Sequence, residues 1–100
     1  MEIKGHCEER FNSVKDLFKE LHDSNREKGS SFSVYKNGEA IIDIWSGYSD
    51  ADETKPWERN SLATVWSTTK GVAAITVALA VERGLLDYSE KVSYYWPEFS

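Results

Sequence analysis

The sequence is poor in the residues that mark specialised protein classes. Cys7 is its only cysteine among 100 residues, so no intrachain disulfide can form and a disulfide scaffold is excluded. One cysteine near the N-terminus reads as a bystander. Two prolines and six glycines are too few for a collagen-like or low-complexity chain. Positive charge is the minority. Twelve Lys and Arg face 17 Asp and Glu, a net charge of −5, which argues against nucleic acid or anionic membrane as a default partner. Long hydrophobic runs are absent too. The most apolar stretch, Val72–Val81, is about half the length a membrane span needs. Met1–Arg10 is charged and has no apolar segment, so neither a secretory signal nor an Arg-rich transit peptide is visible, and a cytoplasmic protein is the expectation. His6, Cys7 and His22 lack metal-ligand spacing, and no glycine-rich loop follows a strand, so neither metal nor nucleotide cofactor is expected.

What is present suits an ordinary globular segment. Hydrophobic residues make up 40% of the chain and charged residues 29%. From Glu8 to about Lys28 the residues Phe11, Val14, Phe18 and Leu21 recur at steps of three and four, with Leu17 beside them. That spacing predicts an amphipathic helix, with Gly29 as its stop. Ser31–Lys36 and Glu39–Ser46 alternate in polarity, and Asn37-Gly38 between them is a strong hairpin signal. The order helix then hairpin predicts an antiparallel sheet with a helix on one face. Gly47–Asn60 is polar and reads as a surface loop; its acids lack the spaced ligands and central glycine of an EF-hand.

Ser67–Gly84 reads as a second helix. Val72 through Val81 leaves it almost no polar face, which predicts a buried helix ended by Gly84. Leu85–Ser100 follows, with Tyr94, Tyr95, Trp96 and Phe99 read as packing and Pro97 barring a continuing helix. This inventory does not balance. A helix buried on every side needs more partners than one amphipathic helix and one hairpin supply, and a lone hairpin leaves its edges open to pairing. The pattern implies that part of the fold is supplied from elsewhere, by a partner chain or by residues not in this sequence, and that the hairpin edge is open to self-association.

The chemistry lies at Trp66-Ser67-Thr68-Thr69-Lys70-Gly71. Ser67 and Lys70 form an S-x-x-K pair at the start of the second helix, where residues three apart share a face. A neutral lysine there can take the serine proton, and burial or nearby positive charge favours the neutral form. The helix N-terminus favours a developing oxyanion, and the Ser67 N–H is a candidate donor to it. The pattern alone is weak, as Ser33-Val34-Tyr35-Lys36 also matches it. That copy sits on a predicted strand, where residues three apart point to opposite faces. The plainer alternative for Ser67, Thr68 and Thr69 is helix capping, with Lys70 a snorkelling surface residue.

The order of segments carries more. Ser61-Leu62-Ala63-Thr64-Val65-Trp66-Ser67-Thr68-Thr69-Lys70 is followed by Val81-Glu82-Arg83-Gly84-Leu85-Leu86-Asp87 and by Trp96-Pro97-Glu98-Phe99. From about Ser31 to Phe99 this resembles the N-terminal part of the beta-lactamase-related serine hydrolases. These include class C-type beta-lactamases, D-alanyl-D-alanine carboxypeptidases and related carboxylesterases. The resemblance implies an α/β (α+β) fold of the beta-lactamase/transpeptidase type, with residues 1–100 one partial domain. Ser67 then matches the acyl-accepting nucleophile and Lys70 the lysine that helps deprotonate it. Gly84 and Asp87 match turn positions, and Tyr35, Trp45 and Trp57 match nothing catalytic and read as packing. In the family the Tyr-x-Asn motif lies roughly a hundred residues beyond the serine and the Lys/His-x-Gly motif near the C-terminus, so both are expected outside these 100 residues, and Tyr94-Tyr95-Trp96 is not a Tyr-x-Asn. The expectation is a serine hydrolase acting on a small-molecule or peptide ester or amide, inactive as these residues alone. The alternative is a truncated paralogue or isoform that binds a partner without catalysis.

Overall fold

A computed structural model describes residues 1–99. The chain divides into two compact units, Met1–Ala63 and Thr64–Ser100. In the first, strand β1 (Lys4–Cys7) is followed by a 3-10 turn at Glu9–Phe11 and helix α1 (Asn12–Asp23); strands β2 (Gly29–Lys36) and β3 (Glu39–Gly47) then form the hairpin. The three strands make an antiparallel sheet in the order β1-β3-β2.

The hairpin forms where Asn37-Gly38 requires it. Both residues have positive φ, 53° and 82°, as a two-residue turn matched to strand twist demands. Phe32 pairs with Ile44 and Val34 with Ile42, so the apolar alternation of the two strands falls in register. An irregularity between Val34 and Tyr35 makes Ala40 the partner of Tyr35 and leaves Ile41 as an extra residue. That bulge lets the neighbours Ile41 and Ile42 both be buried, where strict alternation would bury only one. With Ile44 they form the core, against which Ile3, Cys7, Phe11, Val14, Phe18 and Val34 pack. Phe11, Val14 and Phe18 thus belong to the apolar stripe as predicted, whereas Leu17 stands 57% exposed.

Two sequence expectations need correction in this unit. Helix α1 ends at Asp23, well before Gly29. Asn25 takes the left-handed conformation at φ 57°. Its N–H bonds the His22 carbonyl and the Arg26 N–H bonds the Leu21 carbonyl, a Schellman closure built on asparagine. Gly29 instead opens β2, where a Cβ would fall 1.8 Å from the Tyr48 carbonyl oxygen. The second correction is β1, which the sequence did not reveal. It is four residues long and contains Gly5, whose missing Cβ would sit 2.0 Å from the Asp43 oxygen. Its pairing with β3, not its own propensity, makes it a strand.

The loop after β3 is ordered by one acid. Asp50 accepts hydrogen bonds from the Thr54 hydroxyl and from the Thr54 and Lys55 N–H groups, which holds its carboxyl below the usual range.

The second unit holds a 3-10 turn at Trp66–Thr68, helix α2 (Thr69–Glu82), short helix α3 (Val92–Tyr95) and a final 3-10 turn at Pro97–Phe99. Gly84, at φ 69°, ends α2 as predicted: its N–H bonds the Val81 carbonyl and the Leu85 N–H bonds the Ala80 carbonyl. Asp87 also serves a turn, as its carboxylate accepts the Ser89 N–H at 2.8 Å and its own N–H donates to the Tyr95 hydroxyl at 2.8 Å. The expected burial of α2 is not met by these residues. No residue of α2 is buried, and Ile75 is 71% exposed. The aromatic tail is likewise exposed at Tyr94, Trp96 and Phe99, with ring contacts in the pairs Tyr94–Tyr95 and Trp96–Phe99. An all-apolar pattern specifies what a helix needs around it, and the described residues do not supply it. Among them, no helix is long and apolar enough to cross a membrane.

Candidate active site

The S-x-x-K pair is assembled at the start of α2. Ser67 lies in the 3-10 turn Trp66–Thr68, and Lys70 is the second residue of the α-helix that continues from it. The Lys70 Nζ donates to the Ser67 Oγ at 3.0 Å. The helical arrangement therefore brings the two side chains together, as the spacing predicted. Capping does not account for the serine and threonines. Thr68 stands at the N-cap position with helical backbone angles, φ −60° and ψ −24°, and makes no side-chain cap bond. The pair opens onto a shallow depression lined also by Trp66, Thr69 and Ala73. Ser67 and Lys70 are both exposed, so these residues do not supply the burial that would favour a neutral lysine.

The second S-x-x-K match behaves as its strand position requires. Ser33 lies on β2 and donates to the Asp43 carboxylate across the sheet at 2.8 Å. That carboxylate also accepts from Arg59 at 3.1 Å. Ser33 is thus engaged in a cross-strand contact and not with Lys36.

One feature of the site gave no sequence signal. Trp66, directly before Ser67, has a left-handed φ of 46°. For a bulky L-residue this conformation costs about 1–2 kcal/mol, and tryptophan has no side-chain group that favours it. Its indole is 83% exposed.

His22 in the first unit, which the sequence marks only by its lack of metal-ligand spacing, is a buried residue. It is 1% exposed, its Nε2 lies 2.9 Å from the Ser30 Oγ, and its ring meets Phe18 at 4.8 Å. Burial lowers its pKa below 6.5, against the opposing charges of Glu27 and Asp23. Its Nδ1 has no partner, so the histidine is a buried core residue with one polar atom unsatisfied. Trp57 is mostly buried and packs beside Gly29, whereas Tyr35, also expected to pack, is 59% exposed. Among the described residues no three His, Cys, Asp or Glu side chains gather as a metal site would require.

A family model described as Beta-lactamase matches residues 14–100. The chain belongs to the beta-lactamase family. The esterase/beta-lactamase LipL of Mycobacterium tuberculosis is 35% identical over 97 residues, which is 97% of this chain and 23% of that protein. Penicillin-binding protein 4* of Bacillus subtilis is 28% identical over 86% of this chain and 19% of its own length. Among solved structures, a family VIII carboxylesterase superposes at a TM-score of 0.93 with 40% identity, over 99% of this chain and 27% of the other. A penicillin-binding protein homologue from Caulobacter crescentus gives a TM-score of 0.91 at 34% identity, over 100% of this chain and 27% of its own. This beta-lactamase-family chain therefore spans about a quarter of the length of the relatives it matches.

Proposed function

We propose that these residues carry the nucleophile of a serine hydrolase that works through an acyl-enzyme. The observation that carries the reading is the 3.0 Å contact between Lys70 Nζ and Ser67 Oγ at the start of α2. A serine hydroxyl is a weak nucleophile until a base within hydrogen-bond reach takes its proton. Lys70 is at that distance, and in its neutral form it accepts the proton as the Ser67 Oγ bonds to the carbonyl carbon of an ester or amide. The carbonyl π electrons move to oxygen and give a tetrahedral oxyanion. A helix start leaves its first N–H groups without intrahelical partners, and on this reading the Ser67 N–H, in the turn that opens α2, donates to that oxyanion. Collapse breaks the bond to the leaving alcohol or amine, which takes the proton back from Lys70. Water then attacks the acyl-serine, releasing the acid and restoring the hydroxyl. Of the two substrate classes, esters are favoured, because relatives named as esterase and carboxylesterase are the more identical ones.

The exposed site supports a further point. Ser67 and Lys70 stand uncovered here, and the described residues provide no second proton-transfer partner, so hydrolysis by these residues alone is expected near the uncatalysed level. The outer edge of β2 is unpaired in the sheet order β1-β3-β2, and it is the strand through which separately produced residues 1–100 would self-associate.

The test is Ser67→Ala in the protein that contains these residues, assayed with p-nitrophenyl esters of short acids. Turnover should fall to background. Ester hydrolysis retained by that variant would remove Ser67 from the mechanism.

A further inference from the structure

The tip of the β2–β3 hairpin carries Asn37-Gly38, and both residues are exposed. Asparagine is a chemically labile residue, because the backbone nitrogen of the residue that follows can attack its carboxamide carbon. A regular backbone, a Cβ on the following residue and a hydrogen bond that occupies the following N–H each restrain that attack. Of the four asparagines, three are restrained. Asn12 has helical backbone, φ −55° and ψ −33°, and is followed by Ser13. Asn25 is followed by Arg26, whose N–H donates to the Leu21 carbonyl at 3.0 Å. Asn60 is followed by Ser61, whose N–H donates to the Glu58 carbonyl at 3.0 Å. Asn37 is followed by a residue with no Cβ, and no atom lies within 4 Å of where one would be. The Gly38 N–H donates to no backbone carbonyl among the described residues. The pair also lies outside the strand ladder, whose last partners are Lys36 and Glu39.

We propose that Asn37 is a site of spontaneous covalent modification, at which the chain deamidates through a cyclic imide. The Gly38 nitrogen loses its proton and bonds to the Asn37 Cγ. The Cγ–Nδ2 bond breaks, and the amide nitrogen leaves as ammonia, taking up that proton. Water then adds to one of the two ring carbonyl carbons, and the carbon–nitrogen bond there breaks. Breaking the bond at Cγ leaves an aspartyl residue. Breaking the bond at the main-chain carbonyl carbon leaves an isoaspartyl residue, in which the backbone runs through Cγ and is one carbon longer. Either product adds one negative charge to a chain of net charge −5. The isoaspartyl product also opens the turn. Positive φ at two consecutive residues, 53° and 82°, closes the loop between Lys36 and Glu39, and an extra backbone carbon does not fit that closure. The buried residues Ile42 and Ile44 lie further along β3, so the change is confined to the tip. The inference stands apart from the reading of Ser67.

The experiment incubates the protein containing these residues at neutral pH and in mildly alkaline buffer, and follows it by peptide mapping with mass detection. The segment holding Asn37 should gain about 1 Da and separate into two products of equal mass. One of them should accept a methyl group from S-adenosylmethionine through an isoaspartyl carboxyl methyltransferase. Conversion at Asn37 should run about tenfold or more ahead of conversion at Asn60, where a side chain and an occupied N–H stand in the way. It should quicken in alkaline buffer, because the attacking nitrogen must be deprotonated. Asn37→Gly removes the carboxamide and keeps a residue that adopts positive φ freely, so the mass gain in this segment and the methyl acceptance should disappear together. An Asn37 that stays intact, or that converts no faster than Asn25 or Asn60, overturns the proposal. Undiminished methyl acceptance in Asn37→Gly overturns it as well, and so does a rate indifferent to pH.

Discussion

Replacing Lys70 with methionine separates a catalytic lysine from a merely structural one. Methionine keeps an unbranched stem of similar length and removes only the ammonium group, and with it the 3.0 Å hydrogen bond to Ser67. Both side chains are exposed, so water replaces what is lost on either side. A surface change of this kind shifts stability by about 0.5 kcal/mol or less. Methionine is also a good helix former, so α2 should lose little through propensity. Loss of a general base is a far larger effect. It slows acylation by about 10²–10⁴-fold, equivalent to about 3–5 kcal/mol of barrier. The two readings thus differ by severalfold in free energy, well outside the error of either measurement. The assay is the pre-steady-state burst of p-nitrophenol, with thermal melting followed in parallel. A burst slowed at least a hundredfold with an unchanged melting temperature is the expected result. A Lys70→Met protein that acylates within a few fold of the parent would refute the assignment, and the pair would then be a surface hydrogen bond without chemical consequence.

Two further predictions concern the first unit. Ile44 is fully buried at the centre of the sheet, so Ile44→Ala should destabilise the protein by about 2–5 kcal/mol in chemical denaturation, and a change below 1 kcal/mol would mean that the isoleucine core is not what holds β3. His22 predicts a pH limb. Burial lowers its folded-state pKa below 6.5, so the unfolded chain takes up a proton first; its contribution to stability is present above pH 6.5 and is lost as pH falls towards the lowered folded value. Asp23, held to about 2 by Lys19 and the N-terminal ammonium, contributes stability that is present above pH 3.8 and lost on approach to pH 2. His22→Gln should flatten the upper limb and leave the lower one, and an unchanged upper limb would clear His22 of responsibility for it.

What could be read from the sequence follows a physical division. Features closed within a few residues were legible. Asn37-Gly38 meets the positive-φ requirement of a two-residue hairpin by its own chemistry, and Gly84 ends α2 through bonds reaching back only to Ala80 and Val81. The Ser67–Lys70 pair was legible for the same reason, since helical spacing alone sets which side chains meet. Features that depend on a distant partner were not. β1 is a strand because β3 offers it an edge, and its own residues, Gly5 and His6 among them, carry no strand signal. The end of α1 misled because glycine is the commoner left-handed terminator and Asn25 took that place four residues earlier.

Trp66 marks the limit of pattern reading at the site itself. Nothing in a tryptophan's chemistry favours a left-handed backbone, so composition and spacing both pass over it, yet it stands directly before the Ser67–Lys70 pair. Exposure of α2 has a related origin. Its apolar character on every side is a statement about the completed fold, while its exposed state is a statement about which residues surround it here. The two agree once the chain is seen to span about a quarter of its structural relatives. The 3.0 Å contact between Ser67 and Lys70 is held by the turn and helix start that carry both residues, so it is set locally and does not depend on what covers α2.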